Sequence, residues 1–202
     1  VTVTALDPTT ALVVVDLQRG VLAADTVPHR TADVLDRSVA LASAFRARDL
    51  PVVLVRVTYA ADGADAAPGR TEAGGGTRPR PAGWDEMAPE LADLPGTVTV
   101  TKRNWGAFHG TDLDLQLRRR GVTQVVLTGV ATSFGVESTA RAAHEHGYHV
   151  TLAVDAMSDL DPDAHTNAVT RIFPRLGETG STAEILGLLA TGSGLSPTTE
   201  PG

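Results

Sequence analysis

The chain has 202 residues, a length that suits one domain with one sizeable core, and its 42% apolar and 20% charged residues are an ordinary globular balance. A formal net charge of −7 argues against a general nucleic-acid or anionic-membrane binder, because no surplus of Lys and Arg is present to neutralise phosphates. There is no cysteine, which excludes disulfides, thiolate metal sites and a cysteine nucleophile together.

Ala11 to Val15 is the longest apolar run and reads as a strand buried on both faces, the signature of a parallel sheet. It is far too short to span a bilayer and no signal-like stretch precedes it, so a soluble, cytoplasmic protein is expected. The strand ends abruptly in Asp16. Thr31 to Asp49 is predicted helical, with Leu35, Val39, Ala42 and Phe45 at helical spacing and Arg46 and Arg48 at the negative end of the dipole. Pro51 to Val57 and Thr97 to Thr101 are the next two strands.

Between them, residues 59 to 95 hold Gly74-Gly-Gly, several prolines and one predicted short helix from Trp84 to Leu91. A connection of that length in a compact domain is expected to be a functional lid, the alternative being a disordered insertion. Thr111-Asp-Leu-Asp is a variant capping box, with Arg118 to Arg120 in the last turn and Gly121 as the stop. Gln124 to Thr128 is strand four, Phe134 to His146 a helix stopped by Gly147, and Val150 to Val154 strand five. Asp161-Pro162 opens a helix through Phe173, and Ser181-Thr-Ala-Glu184 is a regular capping box for a final short helix. Residues 191 to 202 read as a disordered tail, leaving 1 to 190 as the domain. Strand and helix patterns alternate, which predicts an α/β protein with helices on both faces of a parallel sheet.

In such sheets ligands bind beyond the carboxyl ends of the strands, near the point where strand order reverses. That rule selects Asp16 after strand one, Lys102 after strand three, and the turn from Gly129 to Gly135 after strand four. Taken singly, each has an ordinary explanation, the Asp as a helix cap and the Lys as a solvated side chain. Trp105 and Phe108 either line a pocket or pack a loop. Ser133 and Ser138 flank the turn without an evident His–Asp relay, so Ser133 reads as a cap and Ser138 as a helix residue. Arg70, Arg78 and Arg80 are candidates for clamping a carboxylate, weighed against plain solvation. His109, His144, His146, His149 and His165 show no ligand spacing, so neither a metal nor a cofactor is expected.

Together these segments resemble a known family. Val13-Val-Val-Asp-Leu-Gln, Lys102-Arg-Asn-Trp-Gly-Ala-Phe-His-Gly-Thr-Asp-Leu and Leu127-Thr-Gly-Val-Ala-Thr-Ser-Phe-Gly-Val-Glu-Ser-Thr-Ala match, in order and spacing, the signature blocks of the isochorismatase-like hydrolases. Gly147-Tyr148 and Val154-Asp155-Ala156 continue the match, which covers roughly residues 8 to 190. The resemblance implies a three-layer α/β/α sandwich around a six-stranded parallel sheet ordered 3-2-1-4-5-6, and a homo-oligomer. It implies Asp16 and Lys102 as catalytic residues and a cis peptide between Val130 and Ala131 in the turn that carries Phe134. It also places Gly135 where most members carry a nucleophilic cysteine. Gln18, Trp105, Phe108 and Ser133 are the expected substrate-pocket residues.

The function so implied is a cysteine-independent hydrolase of a small anionic molecule. Asp16 would protonate a vinyl ether or related bond, with Lys102 orienting it. A nearby ammonium lowers a carboxyl pKa whereas burial raises it, and only the second suits an acid. Rival readings are a non-catalytic small-molecule or partner-binding protein on the same fold, and a hydrolase using Ser133.

Overall fold

The structure, a computed structural model, describes residues 2–67, 69–72 and 80–191. Six strands form one parallel sheet: β1 (Thr10–Val15), β2 (Val52–Val57), β3 (Val98–Lys102), β4 (Gln124–Val130), β5 (His149–Ser158) and β6 (Glu178–Gly180), in the order β3-β2-β1-β4-β5-β6. The helices are α1 (Arg19–Leu22), α2 (Thr31–Arg46), α3 (Pro89–Ala92), α4 (Leu113–Arg118), α5 (Glu137–Glu145), α6 (Pro162–Asn167) and α7 (Thr182–Thr191).

The apolar runs that predicted β1 and β4 are buried along their whole lengths. Because side chains alternate along a strand, Ala11, Val13 and Val15 join one core while Leu12 and Val14 join the other. On the first face they meet Leu113 and Leu117 of α4, Ala140 and Ala143 of α5, and Phe173. On the second they meet Val34, Leu41 and Phe45 of α2, and Ile185 and Leu189 of α7. This gives the three layers that the sequence pattern implied. Among the described residues no helix is long and apolar enough to cross a membrane.

Several elements differ from their predicted form, each for a local reason. The helix expected over Trp84–Leu91 is only the turn Pro89–Ala92. A residue before proline is driven out of the α region, and Ala88 is accordingly extended. Trp84 instead sits in a turn and stacks on Tyr59, ring centroids 6.2 Å apart. The helix expected over Asp161–Phe173 starts as read, with the Asp161 carboxylate accepting from the N–H groups of Asp163 and Ala164. It then widens to a π-helical stretch over Ala168–Ile172 and tightens to a 3-10 turn at Phe173–Arg175. Pro174 has no N–H to offer and its ring crowds the preceding turn, which unwinds a regular helix there.

At the Thr111 box, the hydroxyl accepts from the Leu113 N–H at 3.2 Å, but Asp114 does not reach back. It accepts from the Tyr148 hydroxyl at 2.7 Å instead. The Ser181–Glu184 box is reciprocal, with Ser181 N–H to Glu184 at 2.7 Å and Glu184 N–H to Ser181 at 3.3 Å. The predicted tail lies outside the described residues apart from Thr191, the last residue of α7; Gly74-Gly-Gly and Arg78 also lie outside them.

Strand β5 runs four residues past its predicted end, because its pairing with β4 breaks and resumes: Leu127 faces Leu152, whereas Gly129 faces Met157. The bulged residues turn Asp155 out of the ladder. Its carboxylate then accepts from the N–H and hydroxyl of Thr182 at 2.6 and 2.9 Å, anchoring the start of α7.

Candidate active site

Strand order reverses between β1 and β4, and the residues that end them, Asp16 and the turn after Val130, flank one cavity of about 310 Å³. Its walls include Val21, Ala24, Val57, Tyr59, Asn104, Trp105, Phe134, Gly135 and Leu160, with Asp16 and Lys102 among them.

Asp16 has φ of 57°, a left-handed conformation that Asp tolerates better than most side chains. The twist is held by its N–H donating to the Val55 carbonyl and its own carbonyl accepting from the Gln18 N–H, both at 2.8 Å. Such backbone costs about 1–3 kcal/mol and persists where the surroundings over-determine it. Beside it, β4 approaches β1 so closely that a Cβ on Gly129 would stand 2.0 Å from the Val15 carbonyl oxygen, so only glycine fits.

Lys102, the last residue of β3, crosses beneath β2's end to meet Asp16, its Nζ 2.8 Å from Asp16 Oδ2 and 3.1 Å from the Asn104 carbonyl. Both side chains are buried, with relative exposures of 6% for Asp16 and 2% for Lys102. Asp16 Oδ1 is buried without a hydrogen-bond partner. Burial pushes the Asp16 carboxyl up from 3.8 to about 6, and the opposing charge and hydrogen bond of Lys102 only partly offset it. The competition posed by the sequence is therefore won by desolvation.

The turn after β4 carries a cis peptide at Val130–Ala131 and then winds as a wide π-helical turn over Thr132–Val136 before α5, two residues earlier than the predicted start at Phe134. Three contacts position it. The Ser133 N–H donates to Asp159 Oδ2 at 2.6 Å, Thr132 Oγ1 bonds His165 Nδ1 at 2.9 Å, and the Thr139 hydroxyl donates to the Gly135 carbonyl at 2.6 Å. Thr139 also accepts from the Ala107 N–H at 3.1 Å, so the loop after β3 and the turn after β4 share one fastening. Above it, Trp105 and Phe134 meet edge to face, centroids 4.8 Å apart. A Cβ built on Gly135 would lie 3.2 Å from Asp16 Oδ2 and 3.0 Å from Val15 Cγ1.

Thus Asp16, Lys102, Val130, Ala131, Phe134, Gly135 and Trp105 converge on the cavity. Gln18, Phe108 and Ser133 do not line it. Gln18 is fully buried and trades hydrogen bonds with the Val57 backbone at 2.9 and 3.0 Å, clamping α1's start to β2. Phe108 is turned into the core on the opposite side of its loop and stacks on His146, centroids 5.0 Å apart. Ser133 spends its N–H on Asp159. Ser138 lies inside α5 as read. Arg70 is exposed, and the Arg80 guanidinium lies over the Tyr59 and Trp84 rings, 4.5 and 4.0 Å from their centroids. Among the described residues no group of three His, Asp or Glu side chains is arranged to hold a metal ion.

Residues missed from the sequence were Gly20, Val21, Ala24, Val57, Tyr59, Asn104 and Leu160 on the cavity wall, and Asp159 behind the turn. The rule that picked Asp16 would have picked Asp155, after the predicted strand end at Val154; Asp159 follows β5 only because the structure carries the strand on to Ser158. The wall residues are ordinary side chains with no motif to mark them.

The isochorismatase domain model matches residues 10–184. The chain is 44% identical over 181 residues to the uncharacterized isochorismatase family protein YecD of Escherichia coli O157:H7, covering 90% of this chain and 96% of that one. Among solved structures, an isochorismatase family protein from Burkholderia thailandensis superposes with a TM-score of 0.88 at 48% identity, over 93% of this chain and 98% of that one. A cysteine hydrolase from Pseudomonas syringae pv. phaseolicola 1448A gives a TM-score of 0.79 at 25% identity, over 94% and 97% of the two chains.

Proposed function

The chain belongs to the isochorismatase family, and from that premise we propose that it is a hydrolase of a small molecule that works without a cysteine nucleophile, with Asp16 as general acid. The observation that carries this is the state of Asp16. It is buried beside Lys102 with one oxygen unpartnered, and its pKa is raised to about 6, where a carboxyl holds a proton close to neutral pH and can still release it. A thiol route is closed, since the chain contains no cysteine.

In the reaction proposed, Asp16 donates its proton to the terminal carbon of a vinyl ether and the double-bond electrons form the new C–H bond. The resulting oxocarbenium takes up water on the carbon bearing oxygen. That adduct collapses to a carbonyl compound and an alcohol, and the proton lost by the added water returns to Asp16. Lys102 stabilises the carboxylate that exists between the two proton transfers, at 2.8 Å and out of bulk water. Gly135 leaves open the face of Asp16 that a larger residue would cover.

Turnover assays on vinyl ethers, esters and amides test the proposal. Hydrolysis of a vinyl ether that is lost in Asp16→Asn is the expected result. Ligand binding by calorimetry with no turnover of any class would overturn it in favour of a binding protein on the same fold. A covalent adduct on Ser133 in mass spectra would overturn it in favour of a serine nucleophile.

A further inference from the structure

Of the residues that line the cavity, only Asp16 and Lys102 carry a formal charge. They meet at 2.8 Å and are both buried, so each is the other's counter-ion out of bulk water. Tyr59 is the one other titratable side chain on the wall. Neighbouring charges are committed among themselves: Arg19 of α1 pairs with Glu86 at 2.8 Å, Arg103 after β3 pairs with Asp65, and Arg80 lies over the Tyr59 and Trp84 rings. Behind the turn after β4, Asp159 and His165 are turned to the Ser133 N–H and the Thr132 hydroxyl.

The pair therefore has two charge states. With Asp16 ionised, the two charges cancel and the wall presents none to a ligand. With Asp16 protonated, Lys102 is a buried cation without a counter-ion. One of its three N–H groups also stays uncommitted after those given to Asp16 and the Asn104 carbonyl. An anion facing the ionised pair adds an unmatched negative charge to an apolar enclosure. Facing the protonated pair, the same anion becomes the counter-ion that Lys102 lacks. An uncharged ligand gains nothing from the exchange. By linkage, a ligand that prefers the protonated pair draws a proton onto Asp16 as it binds.

We infer that the site couples anion binding to proton uptake, so that a small anionic substrate loads the general acid as it enters. This rests on the cavity being the substrate site with Asp16 as its acid, as proposed above. Free Asp16, at about 6, is mostly ionised at neutral pH. The acid is therefore assembled in the complex rather than held ready in the empty site.

Benzoate, an anion small enough for a cavity of about 310 Å³, and benzyl alcohol, its uncharged counterpart, are the probes. They are titrated calorimetrically into the full chain at about pH 7.5, in buffers of different ionisation enthalpy. Benzoate should take up more than about half a proton per molecule bound, and benzyl alcohol none. Between about pH 6.5 and about pH 7.5 the affinity for benzoate should fall about fivefold. Asp16→Asn leaves Lys102 uncompensated at every pH. It should bind benzoate at least about tenfold more tightly than the parent at about pH 7.5, with no proton uptake. Lys102→Met removes the cation and should weaken benzoate binding at least about tenfold. In turnover, kcat/KM reports the empty enzyme and kcat the complex. An anionic vinyl ether should therefore show its kcat limb at least about one pH unit above its kcat/KM limb, and an uncharged one should show the two together. Benzoate binding without proton uptake, equal uptake with benzyl alcohol, Asp16→Asn that binds benzoate no more tightly, or no benzoate binding at millimolar concentration would each overturn the inference. Proton-coupled benzoate binding by a chain that turns over no substrate class would sink the hydrolase proposal and leave the coupling standing. Vinyl ether turnover that is lost in Asp16→Asn, beside benzoate binding that takes up no proton, would do the opposite.

Discussion

A Cβ placed on Gly135 would stand 3.2 Å from Oδ2 of Asp16, so the absence of a side chain at one residue is what leaves the carboxylate of the other open to a ligand. Around that pair stand a buried ammonium, a helical turn beginning at Thr132 and a largely apolar wall.

Gly135→Cys tests this directly, because the parent chain has no other thiol. The new sulfur would sit beside the Asp16–Lys102 pair at the start of a helical turn; the turn and the ammonium favour thiolate, while burial and the Asp16 carboxylate, 3.2 Å from the new Cβ, oppose it. Alkylation by iodoacetamide, followed by mass spectrometry at neutral pH, should run faster than for an unperturbed cysteine of pKa about 8.5. The contact of Cβ with Val15 Cγ1 at 3.0 Å should lower stability by about 1 kcal/mol, and native turnover should fall. Reaction no faster than that of a free thiol would mean that the activating environment is not there.

Asp16→Asn should reduce kcat/KM by about a hundredfold or more, the contribution usual for a positioned general acid. Its far-UV circular dichroism should match the parent's, so that the loss reads as chemistry. Full turnover by the asparagine variant would displace Asp16 from the mechanism.

The raised Asp16 pKa gives two pH signatures with fixed sign. As general acid, Asp16 must be protonated, so kcat/KM should decline as pH rises through about 6. Folded protein also binds a proton that the unfolded chain, with its ordinary value of 3.8, has already released. The stability linked to this group is therefore greatest in acid and is lost as pH rises from about 4 to about 6. Lys102→Met removes the two influences that hold the pKa down, so the kinetic limb should move to higher pH. Activity rising through pH 6 would make Asp16 a base, and a limb that moves to lower pH in Lys102→Met would mean that it does not report Asp16.

Asp159 is fully buried and holds the turn from below, accepting from the Ser133 N–H at 2.6 Å and the Leu160 N–H at 2.7 Å. Asp159→Ala strands both donors and should cost about 2–4 kcal/mol in urea denaturation. Asp159→Asn keeps an acceptor oxygen and should recover part of that stability. Equal losses in the two variants would show that the hydrogen bonds to the turn are not what the residue supplies.

How far these features could be read in advance depends on their range along the chain. The alternating strand and helix patterns, the Ser181 box and the Asp161 cap are written in neighbouring residues, because backbone hydrogen bonds and side-chain periodicity act over a few positions. Five strands were legible for that reason, while β6, only the three residues Glu178–Gly180, gave no period to detect. Asp16 and Lys102 were legible as strand-end residues, since in a parallel sheet every strand delivers its last residue to the same edge. Their contact, 86 positions apart, was implied by resemblance and is set in space by the order β3-β2-β1.

The sequence by itself determined the α/β class, the family resemblance and the exclusion of thiol chemistry, all of which follow from local pattern or from composition. Only the tertiary structure decided that Gln18 and Phe108 pack away from the cavity while Tyr59 and Leu160 enter it. It alone decided that burial outweighs the ammonium at Asp16. Both are questions of how much water the folded chain leaves around a group, and that quantity is assembled from segments distant in sequence. Neither periodicity nor motif carries it, because solvent exclusion is a property of the packed layers rather than of any stretch of chain.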